Sequence, residues 1–531
     1  MAKQSQQSKK DSETRPSTPA SHSTKATRVE VGDVPVGSPD VGDQKVASPH
    51  SDGEGEAAIP EDRKGDAIEN EEDDWVHDVR NPRNWSRGRK WAAVGVVSFY
   101  TLVPPLASSM MAPALPDIAA HFDITSPTMQ ALILSIFLLT FALGPLLLAP
   151  MSEIYGRVWI LHICNILSLA FNTGCGFVPT AGSLIGLRVL AGLAGSAPIA
   201  IGGGIVSDVF SDRDRANAMA VYSLGPLLGP ALGPIAGGYI TQTVGYKYIF
   251  VVIGGLSAFA GVVGIPILHE TYAPVIRLRI AKKAADPEKA AAHHPHLVAS
   301  HGQAMHVLWV NLTRPFILLT RSFVCFLLSL YMALQYGFYY LMFSTFPKLF
   351  TETYGFKPGP SGLAYLGLGV GFFISTVFGG QVGDYMYQKM SANNGGKGKP
   401  EFRIPALIFG SLFVPVGLFW YGWSAQAATH WIVPILGTGI FGFGMMATYL
   451  PIQLYLVDTF TYAASALAAA AVFRSLFAFA FPLFGEQMYA ALGYGGGNSL
   501  LAGLAIVVGI PFPIWLWYYG EAIRMKSSLA R

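Results

Sequence analysis

From Trp91 onward, the sequence alternates between long apolar segments and shorter polar connections. At about 20 residues each, the apolar segments are long enough to cross a hydrocarbon core roughly 30 Å thick as α-helices. Lipid offers no partners to backbone amides, so helices are the expected form. The pattern predicts an all-α membrane protein with twelve transmembrane helices, at residues 91–112, 128–150, 158–178, 183–207, 217–241, 248–268, 318–343, 361–385, 403–424, 431–456, 463–485 and 498–520.

One polar gap, from about Glu270 to Arg314, is much longer than the others and divides the spans into two sets of six. This layout is expected of a duplicated transporter whose site lies between its halves, near the membrane midplane. The first part of the chain is polar and lacks apolar periodicity, which predicts disorder. The predicted organisation is a disordered N-terminal tail (1–88), a six-helix bundle (89–269), a central loop (270–315), a second six-helix bundle (316–520) and a C-terminal tail (521–531).

Basic residues are distributed unevenly between the loops on the two sides of the membrane. An even number of spans places both chain ends on one side, and the loops of that side carry most of the Lys and Arg residues. The opposite loops carry only Lys247, Lys348 and Lys357. Because positively charged loops remain in the cytoplasm, we predict cytoplasmic N- and C-termini. We expect the plasma membrane, with the vacuolar membrane left open.

The composition narrows the possible functions. Of the 531 residues, 51% are hydrophobic and 13% are charged, and a net charge of +3 gives no reason to expect nucleic-acid binding. No GxxxxGK[ST] segment is present to hold nucleotide phosphates, and the three cysteines have no metal-binding spacing. The sequence has no recognisable set of nucleophile and base that would indicate an enzyme. We therefore predict a protein that is not an enzyme and has no cofactor or metal site. We also expect a monomer.

The connection between spans two and three contains Glu153 and Arg157 beside Gly156. A carboxylate and an arginine beside a glycine at a helix end can form a charged clasp against neighbouring helix ends. The connection between spans eight and nine has a similar spacing of a small residue and an acid, which adds Asp384 and supports duplication. Asp117, Asp208, Asp384 and Asp458 all lie at span ends, where solvation or helix capping is the simpler expectation.

Span five carries glycines and prolines at four-residue spacing. Small residues at this spacing allow close helix approach, and each proline removes a backbone hydrogen bond and permits bending. Packing alone explains the glycines better than it explains the prolines. The candidates for a role in conformational switching are Gly229, Pro230, Gly233, Pro234, Gly237 and Gly238.

These segments resemble signatures of the major facilitator superfamily, in its fungal twelve-spanner drug:proton antiporter branch. Gly229–Gly238 matches the antiporter signature GxxxGPxxGG residue for residue, Glu153–Arg157 is similar to the first signature, and Leu187–Gly192 is similar to the fourth-helix signature. The resemblance runs from about Asp78 to the C-terminus. It departs from the first signature at Ala149, where the family usually has glycine.

The resemblance implies export of drugs, toxic small molecules or polyamines, driven by the proton gradient. It also implies a role in proton coupling for Arg188. The alternative is that Arg188 is structural and hydrogen-bonded to helix carbonyls. Charged residues inside spans are costly, so Arg474 and Glu486 are candidates too. Arg474 is a candidate for pairing across helices or for ligand contact. Glu486 is either an interfacial carboxylate or a group that holds a proton or meets a cationic substrate.

Aromatic and amide side chains suggest a substrate cavity. Tyr331, Gln335 and Tyr339 share one face of span seven, and Tyr449 and Gln453 share one face of span ten. Aromatic surfaces bind flat or cationic guests by stacking and cation–π attraction, although the same rings also pack helices together.

The leading hypothesis is a proton-coupled transporter that exports small amphipathic or cationic molecules by alternating access. Two alternatives stay open: proton-coupled uptake of a nutrient or metabolite on the same fold, and a non-transporting sensor that signals through its N-terminal tail.

Overall fold

The computed structural model describes residues 75–283 and 301–526. Most of the predicted N-terminal tail, the middle of the predicted central loop and residues 527–531 lie outside the described residues. The described part of the chain is helical and contains no strand. Twelve of its helices are long and apolar enough to cross a membrane. The predicted all-α, twelve-helix fold class is therefore confirmed.

Short breaks divide several spans, and further helical segments lie outside them, among them Pro82–Asn84 (3₁₀), Ala273–Lys283 and His301–Arg321. In chain order, the spans contain Arg87–Ser109, Ala112–Ala114 (3₁₀) and Leu115–His121 (span one), Pro127–Tyr155 (two), Arg157–Cys175 (three), Ala181–Gly195 and Ala197–Val209 (four), Asp212–Val244 (five), Lys247–Ile267 (six), Phe323–Glu352 (seven), Pro358–Leu363, Leu366–Ile374, Ser375–Gly379 (π) and Gly380–Asn393 (eight), Pro400–Arg403 (3₁₀) and Ile404–Gln426 (nine), Ile432–Thr459 (ten), and Ala463–Ala480, Pro482–Gly509 and Pro511–Lys526 (eleven and twelve).

The boundary between spans eleven and twelve lies inside the helix Pro482–Gly509. This helix contains one residue with non-helical dihedral angles, Gly493, at φ 70° and ψ 170°. A positive φ is readily adopted by glycine, which has no Cβ. We therefore assign residues 463–492 to span eleven, across Pro482, and residues 494–526 to span twelve.

Helices of the two halves meet along two seams. Span two packs against span eleven, and span five packs against span eight. We call the membrane face where span one begins and span twelve ends the termini face, and the opposite one the far face. One apolar core contains residues of both halves, including Phe137 and Phe343, and lies toward the far face. Two smaller cores lie toward the termini face, and each belongs to a single half. The structure is thus closed between its halves at the far face.

Candidate functional site

Near the middle of span eleven, Arg474 is surrounded by tyrosines of spans seven and ten. Its Nη1 donates hydrogen bonds to the hydroxyl of Tyr449 and, at 3.4 Å, to that of Tyr336. Its guanidinium lies 4.8 Å from the ring centre of Tyr336 and 5.5 Å from that of Tyr449. The amide of Gln453 donates to the Tyr449 hydroxyl at 2.7 Å. The structure thus brings together three of the predicted residues, Arg474, Tyr449 and Gln453.

Tyr340, one helical turn beyond Tyr336, extends this group toward the first half of the molecule. Its ring centre lies 4.8 Å from that of Tyr339 and 5.9 Å from that of Phe343. Its hydroxyl lies beside Ser108 of span one and is close enough to interact electrostatically with both Arg188 and Arg474. We call Arg188, Tyr336, Tyr340, Tyr449 and Arg474 the central cluster.

Arg188 of span four is completely buried. Its Nη1 donates to the carbonyl of Ala107 in span one at 3.3 Å, and its Nη2 donates to that of Leu134 in span two at 3.4 Å. The guanidinium lies 4.7 Å from the ring centre of Phe137, and the buried Nε has no partner. These contacts match the alternative to proton coupling, in which Arg188 is a structural residue hydrogen-bonded to helix carbonyls. The role of Arg188 in proton coupling stays a prediction.

Ion pairs do not neutralise either central arginine. The ion pairs among the described residues all lie toward the ends of the spans or outside them. Neither Arg188 nor Arg474 takes part in an ion pair there. Charged groups inside a membrane protein usually pair with opposite charges or with backbone carbonyls. The central cluster therefore carries two positive charges whose observed partners are carbonyls, hydroxyls and aromatic rings.

Two residues of the predicted face of span seven lie apart from the central cluster. Tyr331 is buried beside Gly509 of span twelve, where a Cβ added to the glycine would lie 2.4 Å from the tyrosine ring. Gln335 is buried and accepts a hydrogen bond from Thr448 at 2.7 Å. Both side chains therefore pack within the second half.

Tyr339 is the one residue of that predicted trio that borders the cluster, with its ring centre 6.4 Å from that of Tyr336. The cluster itself uses Tyr336 and Tyr340, which lie on the neighbouring stripe of span seven. Sequence reasoning missed both, although they share the same four-residue spacing as Gln335 and Tyr339.

Glu486 lies at the far face, where it forms an ion pair with Lys348 of span seven. Its side chain is 28% exposed. Both residues line a vestibule of about 190 Å³ between the halves, together with Gln130 of span two and Glu352 of span seven. Glu486 is therefore separate from the central cluster and accessible from the far face.

The glycines of span five lie against the backbone of span one. A Cβ at Gly229 would lie 2.9 Å from the Leu106 nitrogen, and one at Gly237 would lie 1.8 Å from the Met110 carbonyl oxygen. A Cβ at Gly233 would lie 1.9 Å from Ser109 Oγ, which donates to the Gly229 carbonyl at 3.2 Å. The spacing of these glycines therefore permits direct helix contact.

The same segment of span five also forms part of the seam between the halves. A Cβ at Gly238 would lie 2.3 Å from the carbonyl oxygen of Pro358 in span eight. A Cβ at Gly362 of span eight would lie 2.3 Å from the carbonyl oxygen of Pro234. Pro230 and Tyr339 line the same small cleft at the edge of the central cluster. One short segment thus contacts span one, span eight and the surroundings of the cluster.

At the termini face of the first half, Arg157 forms an ion pair with Asp208, with 2.7 Å between Nε and Oδ2. Its backbone N–H donates to Glu270 Oε1 at 3.0 Å. Burial raises the pKa of Tyr272, and the negative charge of Glu153 nearby adds to this increase. Glu153 itself is exposed and forms no ion pair among the described residues. Arg157 is thus paired with the end of span four.

The second half repeats this arrangement. Arg403 forms ion pairs with Asp384 at 3.1 Å and Asp458 at 3.5 Å, and Arg524 forms one with Glu401 at 3.1 Å. Asp208 and Asp458 occupy corresponding positions at the ends of spans four and ten. Our expectation that these two aspartates are solvated or cap helices was wrong, because each is paired with an arginine from another span. Their corresponding positions at the ends of spans four and ten were the feature of the sequence that could have indicated a shared role.

Comparisons with known proteins agree with this architecture. The family model of the Major Facilitator Superfamily matches residues 97–482. The chain is similar to the MFS-type transporter penM of Penicillium rubens, with 42% identity over 86% of this chain and 90% of that protein. It is also similar to the efflux pump vrtL of Penicillium aethiopicum, again with 42% identity over 86% of this chain and 90% of that protein.

Among solved structures, the chain is similar in fold to a D-xylose-proton symporter, with a TM-score of 0.61, 16% identity, and coverage of 80% of this chain and 97% of that one. The fold and the relatives are those of membrane transporters, which confirms that the protein is not an enzyme. With the family model covering most of its length, the chain belongs to the major facilitator superfamily.

Proposed function

We propose that this transporter exports small amphipathic molecules from the cytoplasm by alternating access, with proton entry as the energy source. The observation that carries the proposal is the position of the central cluster, which contains side chains of both halves and lies where the halves meet. Export rather than uptake is supported by the relative named an efflux pump. The proposal places the protein in the plasma membrane, with the termini face cytoplasmic.

The two seams provide the moving parts of this mechanism. The halves share a core toward the far face and have separate cores toward the termini face. A substrate bound at the central cluster is released at the far face when the contacts of Gly238 with Pro358, and of Pro234 with Gly362, separate. Small residues suit such a seam because the backbones meet without interlocking side chains.

Proton coupling requires a group that binds and releases a proton. The carboxylates of the described spans all lie toward helix ends rather than in the central cluster: Asp117, Glu153, Asp208, Asp212, Asp214, Glu352, Asp384, Glu401, Asp458, Glu486 and Glu521. Glu486 is the carboxylate we assign to proton uptake, because it opens into the far-face vestibule and is held by Lys348. Protonation of Glu486 removes that ionic attraction. Arg188 stays a candidate for the coupling residue.

Everted vesicles test export and coupling together. An imposed pH gradient, acidic inside, is expected to drive uptake of a transported compound and to be dissipated by it. A growth screen in a strain without its own exporters, with toxic compounds and polyamines, selects the compound. A pH gradient that has no effect on accumulation excludes proton antiport.

The alternatives give different results in intact cells. A proton-coupled uptake transporter raises the intracellular concentration of its substrate, whereas an exporter lowers it. A sensor loses its output when residues 1–74 are deleted, whereas transport by the six-plus-six helical unit is expected to survive that deletion.

A further inference from the structure

We propose that the central cluster binds an organic anion, a flat or amphipathic molecule that carries a carboxylate or a phenolate. This inference rests on the proposed export function and specifies its substrate class. The family resemblance implies amphipathic or cationic substrates, including polyamines. The charges and hydrogen-bond donors of the central cluster favour a ligand of the opposite sign.

The first argument is the uncompensated charge. A guanidinium remains protonated in proteins, so Arg188 and Arg474 contribute two positive charges where the halves meet. Neither forms an ion pair within the described part of the chain, and the carboxylates of the described spans lie toward helix ends. Arg188 is completely buried and Arg474 is half-buried, and a charge removed from water without a counter-ion is costly. A bound anion supplies the missing negative charge, whereas a bound cation adds a third positive one.

The second argument is the excess of hydrogen-bond donors. The Tyr449 hydroxyl oxygen accepts from both Arg474 Nη1 and Gln453 Nε2, so this hydroxyl can offer a further group only its hydrogen, as a donor. Both hydrogen bonds of Arg474 use Nη1, and Nε of the completely buried Arg188 has no partner. A carboxylate or phenolate oxygen accepts hydrogen bonds without donating any. Bonds between such an oxygen and a guanidinium are about twice as strong as neutral ones.

The third argument is that arginine already occupies the aromatic faces. Tyrosine rings attract cations, but Arg474 lies over the rings of both Tyr336 and Tyr449. A cationic guest on these faces therefore meets a guanidinium instead of a free ring. Next to the arginine, the buried rings of Tyr339 and Tyr340, whose centres are 4.8 Å apart, provide apolar surface that suits a flat apolar body.

A cation has a different place to bind. The far-face vestibule contains Glu352 and Glu486, but Glu486 is already paired with Lys348. Cation binding there depends on Glu486 and not on Arg474. Variants of these two residues therefore distinguish the anion proposal from its cationic rival.

The experiment uses three probes that share one ring system and differ in charge: 2-naphthoate, the neutral 2-naphthamide and 2-naphthylmethylammonium. Binding is measured as thermal stabilisation of the purified full-length protein, since a ligand that binds the folded state raises its melting temperature. We expect stabilisation by 2-naphthoate at concentrations at least about tenfold lower than by the other two, a factor that corresponds to roughly 1.4 kcal/mol.

Arg474→Gln is expected to weaken 2-naphthoate binding by about tenfold or more, the scale of a lost hydrogen bond between charged groups. Tyr449→Phe is expected to weaken it less, because the guanidinium remains. Arg321→Gln is the matched control, because Arg321 is exposed at the end of the helix His301–Arg321. This control is expected to bind 2-naphthoate like the unaltered protein.

Preference for the ammonium probe, equal binding of all three probes, or no binding of any probe overturns the anion proposal. So does unchanged 2-naphthoate binding in a folded Arg474→Gln protein. Everted vesicles then test transport separately. Binding of 2-naphthoate through Arg474 without any accumulation upholds the ligand class and contradicts the proposed export, whereas accumulation of the ammonium probe alone upholds export and contradicts the ligand class.

Discussion

Arg157 and Asp208 join the beginning of span three to the end of span four through an ion pair of 2.7 Å. Their side chains are only 13% and 18% exposed. Arg403 and Asp458 join spans nine and ten in the same way at 3.5 Å. Each half of the transporter therefore carries its own ionic contact at the termini face, made by residues in corresponding positions. This correspondence is structural support for duplication.

Asp208→Asn is expected to lower the free energy of unfolding by about 1–3 kcal/mol, because a largely buried arginine loses its ionic partner. Glu153→Gln is the control, since Glu153 is exposed and unpaired among the described residues; its effect should stay within about 0.5 kcal/mol. Thermal denaturation in detergent measures both. An equal loss of stability in the two variants contradicts the assignment of Asp208 as the partner of Arg157.

Arg188→Lys and Arg188→Gln are both expected to lower the melting temperature. Arg188 donates to carbonyls of two different helices, and lysine lacks the planar fork needed for both bonds. The free energy of unfolding is expected to fall by about 1–3 kcal/mol in each variant. Transport should differ: Arg188→Lys keeps part of the activity because it keeps the positive charge, and Arg188→Gln loses it. Initial rates, normalised to folded protein, measure this; full transport by Arg188→Gln removes Arg188 from the mechanism.

The sequence predicted the number and type of spans because lipid imposes a minimum apolar length on each helix. It was less informative about orientation within the bundle. The residues Tyr331, Gln335 and Tyr339 do share a stripe of span seven, but the central cluster uses Tyr336 and Tyr340. Adjacent residues on a helix are rotated by about 100°, so a shift of one position selects another neighbour. Periodicity identifies shared faces, and only packing shows what each face contacts.

The partners of charged residues were also beyond the reach of local patterns. The sequence singled out Arg157 and Glu153 because they are close in the chain, whereas the ion pair joins Arg157 to Asp208 at the end of the next span. For Gly229 and Gly237, unlike for the charged residues, the local pattern did predict the contact. Their four-residue spacing predicted close helix contact, and the structure shows it against span one. Contacts within one helix face follow from spacing, but contacts between distant segments require the fold.

Glu486→Gln is expected to abolish export driven by a pH gradient and to leave substrate exchange without a gradient intact. Its stability should change by less than about 1 kcal/mol, because the ion pair with Lys348 is partly exposed, at 28% and 45%. Glu352→Gln is the control, as Glu352 lines the same vestibule but is not in that ion pair. Equal gradient-driven export by the unaltered protein and Glu486→Gln contradicts our assignment of the proton site.

A series of alanine substitutions in span five tests whether its glycines serve backbone contact. Gly237→Ala is expected to be the most damaging, because its Cβ would lie 1.8 Å from the Met110 carbonyl, which cannot move without shifting span one. Gly233→Ala should be milder, since its nearest atom is the rotatable Ser109 Oγ at 1.9 Å.

The control is Gly255→Ala in span six, where a Cβ would meet nothing within 4 Å. Alanine favours a helix over glycine by up to about 1 kcal/mol, so this variant should be neutral or slightly more stable. The amount of folded protein and the melting temperature give the order of the three variants. Similar melting temperatures of Gly237→Ala and Gly255→Ala contradict the close contact. A graded loss of stability, largest in Gly237→Ala, shows that the glycine motif serves the packing of span five against span one.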